Sequence, residues 1–195
     1  MTAMRAAVFL DRDGTMIHDV GYLNRVEDLR WYASTIDAVR LLNRAGFLVF
    51  VTTNQAGIGL GLLDESILGR LHGEMRRVLD AEGAQIDGWF HCPHHPSAVI
   101  EALRMECTCR KPQPGMIQQA QAQFEFNLER SFVVGDKMAD VGLATGVGAR
   151  GVLVRTGYGE DVVRQHGGTV PGAAFVAASL MEATSWILGQ QAGAR

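Results

Sequence analysis

Lysine is nearly missing from this chain: of 18 basic residues in a total of 195, only Lys111 and Lys137 are lysines. Arginine carries the generic surface charge, so the two ammonium groups need a reason of their own. A lysine is a compact point charge suited to a phosphate or carboxylate partner, a role guanidinium fills with different geometry. A codon bias that spared two lysines by accident would leave the same count, and scarcity alone does not separate the two explanations. Cysteine is equally scarce, with three residues, all between 92 and 109. The odd number, in a chain whose start carries no export signal, argues against a disulfide framework. No apolar stretch reaches ~18 residues and no basic segment leads into a long apolar run, so the expectation is a soluble cytoplasmic protein with no membrane partner. A net charge of -3 argues against a general nucleic-acid binder but permits a local basic pocket. There is no repeat and no low-complexity segment. What is present, 47% hydrophobic and 20% charged residues, suffices for one buried core and a single domain over 1–195.

The apolar runs are short and spaced by helical patterns. Ala6 to Leu10 suits a fully buried strand. Further strands are expected at Phe47–Val51, Ile86–His91, Ser131–Val134 and Gly151–Val154. Between them, Ser34 can cap a helix carrying Ile36, Val39 and Leu42 on one face with Gly46 as its terminator. Asp64 opens a second helix with Ile67, Leu68, Leu71, Met75, Val78 and Leu79 as its stripe, ended by Gly83. Pro114 is placed as the first residue of a helix to about Phe126. Residues 137 to 146 read as helical, and a last helix spans about Ala177 to Leu188. Ile17 to Tyr32 lacks a helical period and reads as a long loop. Strand and helix alternating in this way imply an α/β fold, a Rossmann-like parallel sheet with helices on both faces.

In such a sheet the ligand crevice lies at the carboxyl ends of the strands. Asp11 sits at the first strand end and Asp13 two residues on, with Gly14 to turn the chain away. An Asp-rich turn with no further purpose would look the same on its own. The second strand end brings Thr52-Thr53-Asn54-Gln55, whose hydroxyls and amides before Ala56-Gly57 suit a phosphate oxygen. The fourth brings Asp136 and Lys137.

Cys92, His94, Cys107 and Cys109 form C-x-H, twelve intervening residues, then C-x-C. In extended backbone the i and i+2 side chains share a side, so Cys92 pairs with His94 rather than His95, and Cys107 with Cys109. Two facing pairs make a tetrahedral Cys3His set with no open position, the pattern of a structural zinc; the alternative is a group of buried reduced cysteines beside a surface histidine.

Together these strand ends resemble the haloacid dehalogenase-like superfamily of phosphatases, whose motifs are D-x-D-G-T, a strand-end Thr or Ser, a Lys and a G-D pair. Leu-Asp-Arg-Asp-Gly-Thr, the Gly-Tyr of the following loop, Thr-Asn-Gln-x-Gly-Ile, Cys-Pro-His-His-Pro, Cys-x-Cys-Arg-Lys-Pro-x-Pro-Gly-Met and Val-Gly-Asp-Lys extend the resemblance to its zinc-containing, histidinol-phosphatase-like family, from about Ala6 to Gly157. The resemblance implies a capless haloacid dehalogenase-like fold with a zinc-binding loop at about 92–109, and a monomer. It implies a Mg²⁺-dependent phosphatase for a small phosphorylated sugar, a heptose 1,7-bisphosphate, with histidinol phosphate as the alternative substrate. Asp11 is then the nucleophile and Asp13 the proton donor and acceptor. Mg²⁺ falls to the side chains of Asp11 and Asp136 and the backbone carbonyl of Asp13. Thr53, Arg110 and Lys111 bind phosphoryl oxygens or the substrate, and Lys137 lies beside the metal ligands. Asp19, Gly21, Tyr22, Asn54 and Gln55 line the sugar pocket, although Tyr22 would serve equally by packing its loop on the core. Asp140 either orients a metal-bound water or caps a helix. Gly59-Leu60-Gly61 departs from the family, where an Arg often precedes the second glycine. A receiver-type signalling domain would lack a carboxylate placed as Asp13 is, and a zinc-stabilised binding module would leave the strand-end residues unexplained.

Overall fold

The computed structural model describes residues 4–192; residues 1–3 and 193–195 of the expected 1–195 domain lie outside the described residues. Ala6–Leu10 forms β1 and is buried along its whole length, as a strand covered on both faces must be. It is joined by β2 (Leu48–Asn54), β3 (Gly88–Cys92), β4 (Asn127–Gly135), β5 (Arg150–Val154) and β6 (Ala173–Ala177) in one sheet of order β3-β2-β1-β4-β5-β6. All pairings are parallel. The chain builds outward from β1 on one side and then returns to build on the other, so the order reverses at β1. Leu10 pairs with Val51 of β2 and Val134 of β4, and Asp11 therefore leaves the sheet at the switch point, where such folds bind ligands.

The helices are α1 (Thr35–Arg44), α2 (Ala56–Gly59), α3 (Glu65–Ala81), α4 (Gly115–Gln121), α5 (Met138–Val147), α6 (Gly159–Gln165) and α7 (Leu180–Ala192). Alternation along the strands divides the core. Val8, Leu10, Val49 and Val51 pack with Val39 and Leu42 of α1, Leu71 and Met75 of α3 and Ile187 of α7. Ala7, Phe9 and Phe50 face Met116 and Ile117 of α4 and Leu143 and Ala144 of α5. Between Asp11 and Lys111 the chain spends its length on the long loop, α1, β2, α2, α3, β3 and the loop of residues 92–109, which leaves the capless body expected from the sequence.

Several boundaries differ from expectation. Asp64 caps α3 through the Ile67 N–H at 2.7 Å, whereas Ser34 stands at the N-cap of α1 without a side-chain cap bond. Helix α4 stops at Gln121; Phe126 instead packs its ring beside Phe9 and Phe50. Ala177 ends β6 rather than opening the last helix. β2 runs three residues past the expected Val51, so Thr52, Thr53 and Asn54 are its last residues.

Candidate active site

Three carboxylates converge where β1 and β4 end. Oxygens of Asp11, Asp136 and Asp140 lie within 4.8 Å of one another, and all three residues are buried. Lys111 Nζ sits among them, 2.8 Å from Asp11 Oδ1 and 2.6 Å from Asp140 Oδ1, and its third partner is the Thr52 carbonyl at 2.8 Å. The loop that carries the Cys/His cluster therefore delivers an ammonium whose three donors are all used. Burial pushes the Asp11 carboxyl up to about 7 against the pull of Lys111. Burial also works against the Lys111 charge, but Asp11 and Asp140 hold its ammonium well above the ordinary lysine range.

Asp136 is fully buried. Its Oδ2 accepts the Tyr158 N–H at 2.8 Å, while Oδ1 has no hydrogen-bond partner. Burial raises this carboxyl to about 6, against Lys137 and the Tyr158 N–H. A Cβ on Gly14 or Gly157 would overlap the same carboxylate, and both glycines hold positive φ, +83° and +57°. The nearest cation to Asp136 is Lys137 Nζ, 3.7 Å from Oδ1, and a buried carboxylate oxygen without a hydrogen bond, in a group of three carboxylates, fits a hard divalent ion held by oxygen. Asp140 does not share a helix face with Asp136, which precedes α5. It occupies the third position of α5, where its Oδ2 accepts the Lys137 N–H at 3.1 Å and its Oδ1 takes Lys111. Of the two roles open from the sequence, its geometry is the capping one, although buried rather than solvated.

Asp13 lines the crevice with Asp11, Thr53, Asn54, Lys111 and Lys137 around about 40 Å³. Both Asp13 oxygens are gripped by Arg12, with Nη2 at 2.9 and 2.8 Å and Nε at 3.2 and 3.1 Å. Gln55 Nε2 donates to Asp13 Oδ2 at 2.9 Å and to Thr53 Oγ1 at 2.8 Å. The sequence reading missed Arg12; an arginine next to two charged residues gives no periodic signal of burial.

The expected substrate residues divide. Asn54 spends both ends of its amide on the Lys111 backbone, accepting N–H at 3.0 Å and donating to the carbonyl at 3.3 Å, so it clamps the loop as well as lining the crevice. Lys137 Nζ lies 3.3 Å from Asp19 Oδ2 and 4.6 Å from the centre of the Tyr158 ring. Tyr158 was not foreseen, although Gly-Tyr-Gly after a strand end was the available signal. Asp19 Oδ1 accepts the Gly21 N–H at 2.8 Å. Tyr22 is half exposed and lines a separate cavity of about 340 Å³ with Val20, Leu23, Asn24, Asp28 and Arg30. Arg110 is likewise not in the Asp11 crevice: its Nη1 donates to the His94 carbonyl at 3.3 Å, and it borders a cavity of about 370 Å³ with Met105, Glu106 and Gln113. Lys111 borders both this cavity and the Asp11 crevice, whereas Arg110 borders this cavity alone. At the family departure Gly59-Leu60-Gly61, Gly59 and Gly61 pack against the loop of residues 92–109 at Ala98 and Val99.

Cys92, His94, Cys107 and Cys109 meet as their spacing predicts. The sulfurs stand 3.0 to 3.4 Å apart. His94 Nδ1 is 3.2 Å from Cys109 Sγ and 3.6 Å from Cys92 Sγ. A tetrahedral zinc with ~2.3 Å bonds to sulfur has edges of about 3.8 Å, so the set is compact enough to close on one ion. Burial pushes the Cys92 and Cys109 thiols up, while the Arg110 N–H, 3.3 Å from Cys107 Sγ, offsets burial there and holds that thiol down. Among the described residues no helix is long and apolar enough to cross a membrane.

The model of the HAD-hydrolase-like family matches residues 108–183. D-glycero-beta-D-manno-heptose-1,7-bisphosphate 7-phosphatase of Photorhabdus laumondii is 42% identical over 159 residues, covering 80% of this chain and 84% of the relative. The Escherichia coli K12 protein of that name is 40% identical over 153 residues, covering 77% and 80%. The crystal structure of D,D-heptose 1,7-bisphosphate phosphatase from B. bronchiseptica, complexed with magnesium and phosphate, superposes with a TM-score of 0.83 at 30% identity over 95% of this chain and 99% of that one. The chain belongs to the D-glycero-β-D-manno-heptose-1,7-bisphosphate 7-phosphatase family of haloacid dehalogenase-like phosphatases.

Proposed function

We propose that this chain hydrolyses the 7-phosphate of D-glycero-β-D-manno-heptose 1,7-bisphosphate through an aspartyl-phosphate on Asp11. The observation that carries the reading is the Asp11–Lys111–Asp140 chain beside the Asp136 oxygen that has no hydrogen bond, at the switch point of the sheet. Asp11 attacks phosphorus in line and the bond from phosphorus to the sugar oxygen breaks. Asp13 gives that oxygen its proton. In the second half Asp13 takes a proton from water as the water oxygen bonds phosphorus, and the bond to Asp11 breaks. A carboxylate meeting a phosphate is repelled by ~4 kcal/mol per unit-charge pair at ~4 Å with an effective dielectric near 20. Lys111 and Lys137 offset part of this. Mg²⁺, held by Asp11, Asp136 and the Asp13 carbonyl, would supply the rest of the charge neutralisation when bound.

Thr53, fixed by Gln55, is placed to bind a phosphoryl oxygen. Lys137, between Asp19 and Tyr158 at the rim, faces the sugar side. Phosphorus NMR of the reaction tests the reading: the 7-phosphate signal should be replaced by free phosphate while the 1-phosphate stays, EDTA should stop the change, and Mg²⁺ alone should restart it. Histidinol phosphate should turn over far more slowly. Loss of the 1-phosphate, or faster turnover of histidinol phosphate, would overturn it.

Zinc in the Cys3His set orders the loop that carries Lys111, since metal binding to such a site is local folding energy. Cys109→Ala should abolish stoichiometric zinc and lower kcat/KM by about 10- to 100-fold, the scale seen when a ligand's supporting group is lost. Metal analysis with steady-state kinetics checks this; a zinc-free variant with wild-type kinetics would reduce the cluster to packed cysteines.

A further inference from the structure

We propose that Arg12 is a positioning residue for Asp13, fixing the carboxylate that exchanges protons with the sugar oxygen and with water; this rests on the phosphatase reading above. Arg12 is 1% exposed and heads the largest fully buried side chains of the described residues. A buried guanidinium must be paired, yet a buried ion pair adds little to stability compared with apolar residues of the same volume. Stability alone therefore does not account for it. Its carboxylate partner is Asp13, the next residue, held by both Nε and Nη2. Neighbouring side chains in extended backbone point apart. They meet here because the turn folds around the Arg12 carbonyl, which accepts the Met16 and Ile17 N–H groups at 2.9 and 3.1 Å.

The guanidinium is held from behind as well. Its Nη1 lies 3.4 Å from His72 Nε2, and the His72 ring lies 4.7 Å from that of Trp89. Burial, helped by Arg12, pushes His72 down to about 3, so it stays neutral and can accept from Arg12. On the crevice side, Gln55 takes Asp13 Oδ2 and leaves Oδ1 to Arg12 alone. Oδ1 thus has one donor fewer than Oδ2, and its place is set by a side chain that does not line the crevice.

A group that places a general acid matters in proportion to how badly the leaving group needs a proton. The rate of leaving-group release in a single turnover isolates that step. For heptose bisphosphate, whose alkoxide must be protonated, Arg12→Met should slow release about 100-fold, within the range general acid catalysis contributes. For p-nitrophenyl phosphate, whose phenolate leaves unprotonated, the same change should cost less than about tenfold on that reasoning. Asp13→Asn should show the same bias. The double variant should be no slower than Asp13→Asn, because the two residues act as one unit. Arg12→Lys, which keeps a buried cation, should recover part of the heptose rate and serves if Arg12→Met does not fold. Equal losses on both substrates, or multiplicative losses in the double variant, would overturn the proposal while leaving the phosphatase reading intact. A wild-type protein that cleaves neither substrate would overturn the reading itself.

Discussion

Asp11→Asn should remove phosphate release by at least about 10⁴-fold, the scale on which loss of a nucleophile acts in other enzymes. The amide is nearly the same shape, so the fold should survive and the substrate should still bind. The reason for so large an effect is position. Asp11 is the first residue past β1, pinned by its own N–H to the Val134 carbonyl at 2.8 Å and by Lys111 at 2.8 Å. No other carboxylate can take its place: Asp136 packs against Gly14 and Gly157, and Asp140 is spent on Lys111 and the start of α5. Phosphate release from the heptose substrate measures the loss. Residual turnover within tenfold of wild type would remove Asp11 from the nucleophile's role.

Lys111→Met should be the most destabilising single change in the site. It leaves Asp11 and Asp140 facing each other without their cation, and breaking a buried pair in this way costs about 3 to 5 kcal/mol, a large fraction of a typical total stability. The penalty depends on pH in a definite direction. Asp11 already sits above its ordinary value of 3.8, at about 7, because burial outweighs Lys111; without Lys111 it must rise further. A group whose folded pKa is raised contributes stability below its unfolded pKa and loses it as pH rises through the folded one. The difference in melting temperature between wild type and Lys111→Met should therefore widen from pH 5 to pH 8, read by thermal denaturation in EDTA. A gap that narrows with rising pH would contradict this electrostatic account of the site.

The residues that met in the crevice were legible because strand ends in a parallel sheet have one destination. A short apolar run fixed where Asp11, Thr53 and Asp136 would emerge, and the i, i+2 rule placed Cys92 with His94 and Cys107 with Cys109. Less was legible where composition fits two periods. Ala173–Ala177 forms β6, but its alanines favour no period, so the strand was missed and only Ala177 was assigned, to the start of the last helix. Pro114 marked where α4 begins but not where it ends, and Phe126 lies beyond it in an aromatic cluster. Side-chain commitments were least legible of all. Asn54 holds the Lys111 backbone, Arg110 turns to the His94 carbonyl, and Arg12 is buried on Asp13; each depends on contacts made by turns whose direction a linear pattern does not encode.

If phosphorus passes through Asp11, the phosphoryl group is covalently bound to that carboxylate between the two half-reactions. Substrate carrying radioactive phosphate at the 7-position, mixed with Asp13→Asn protein to slow the second half-reaction and quenched in acid, should leave label on the peptide containing Asp11. The label should be lost on treatment with hydroxylamine, as expected of an acyl phosphate. Label on another residue, or turnover with no labelled protein at any time, would contradict the account.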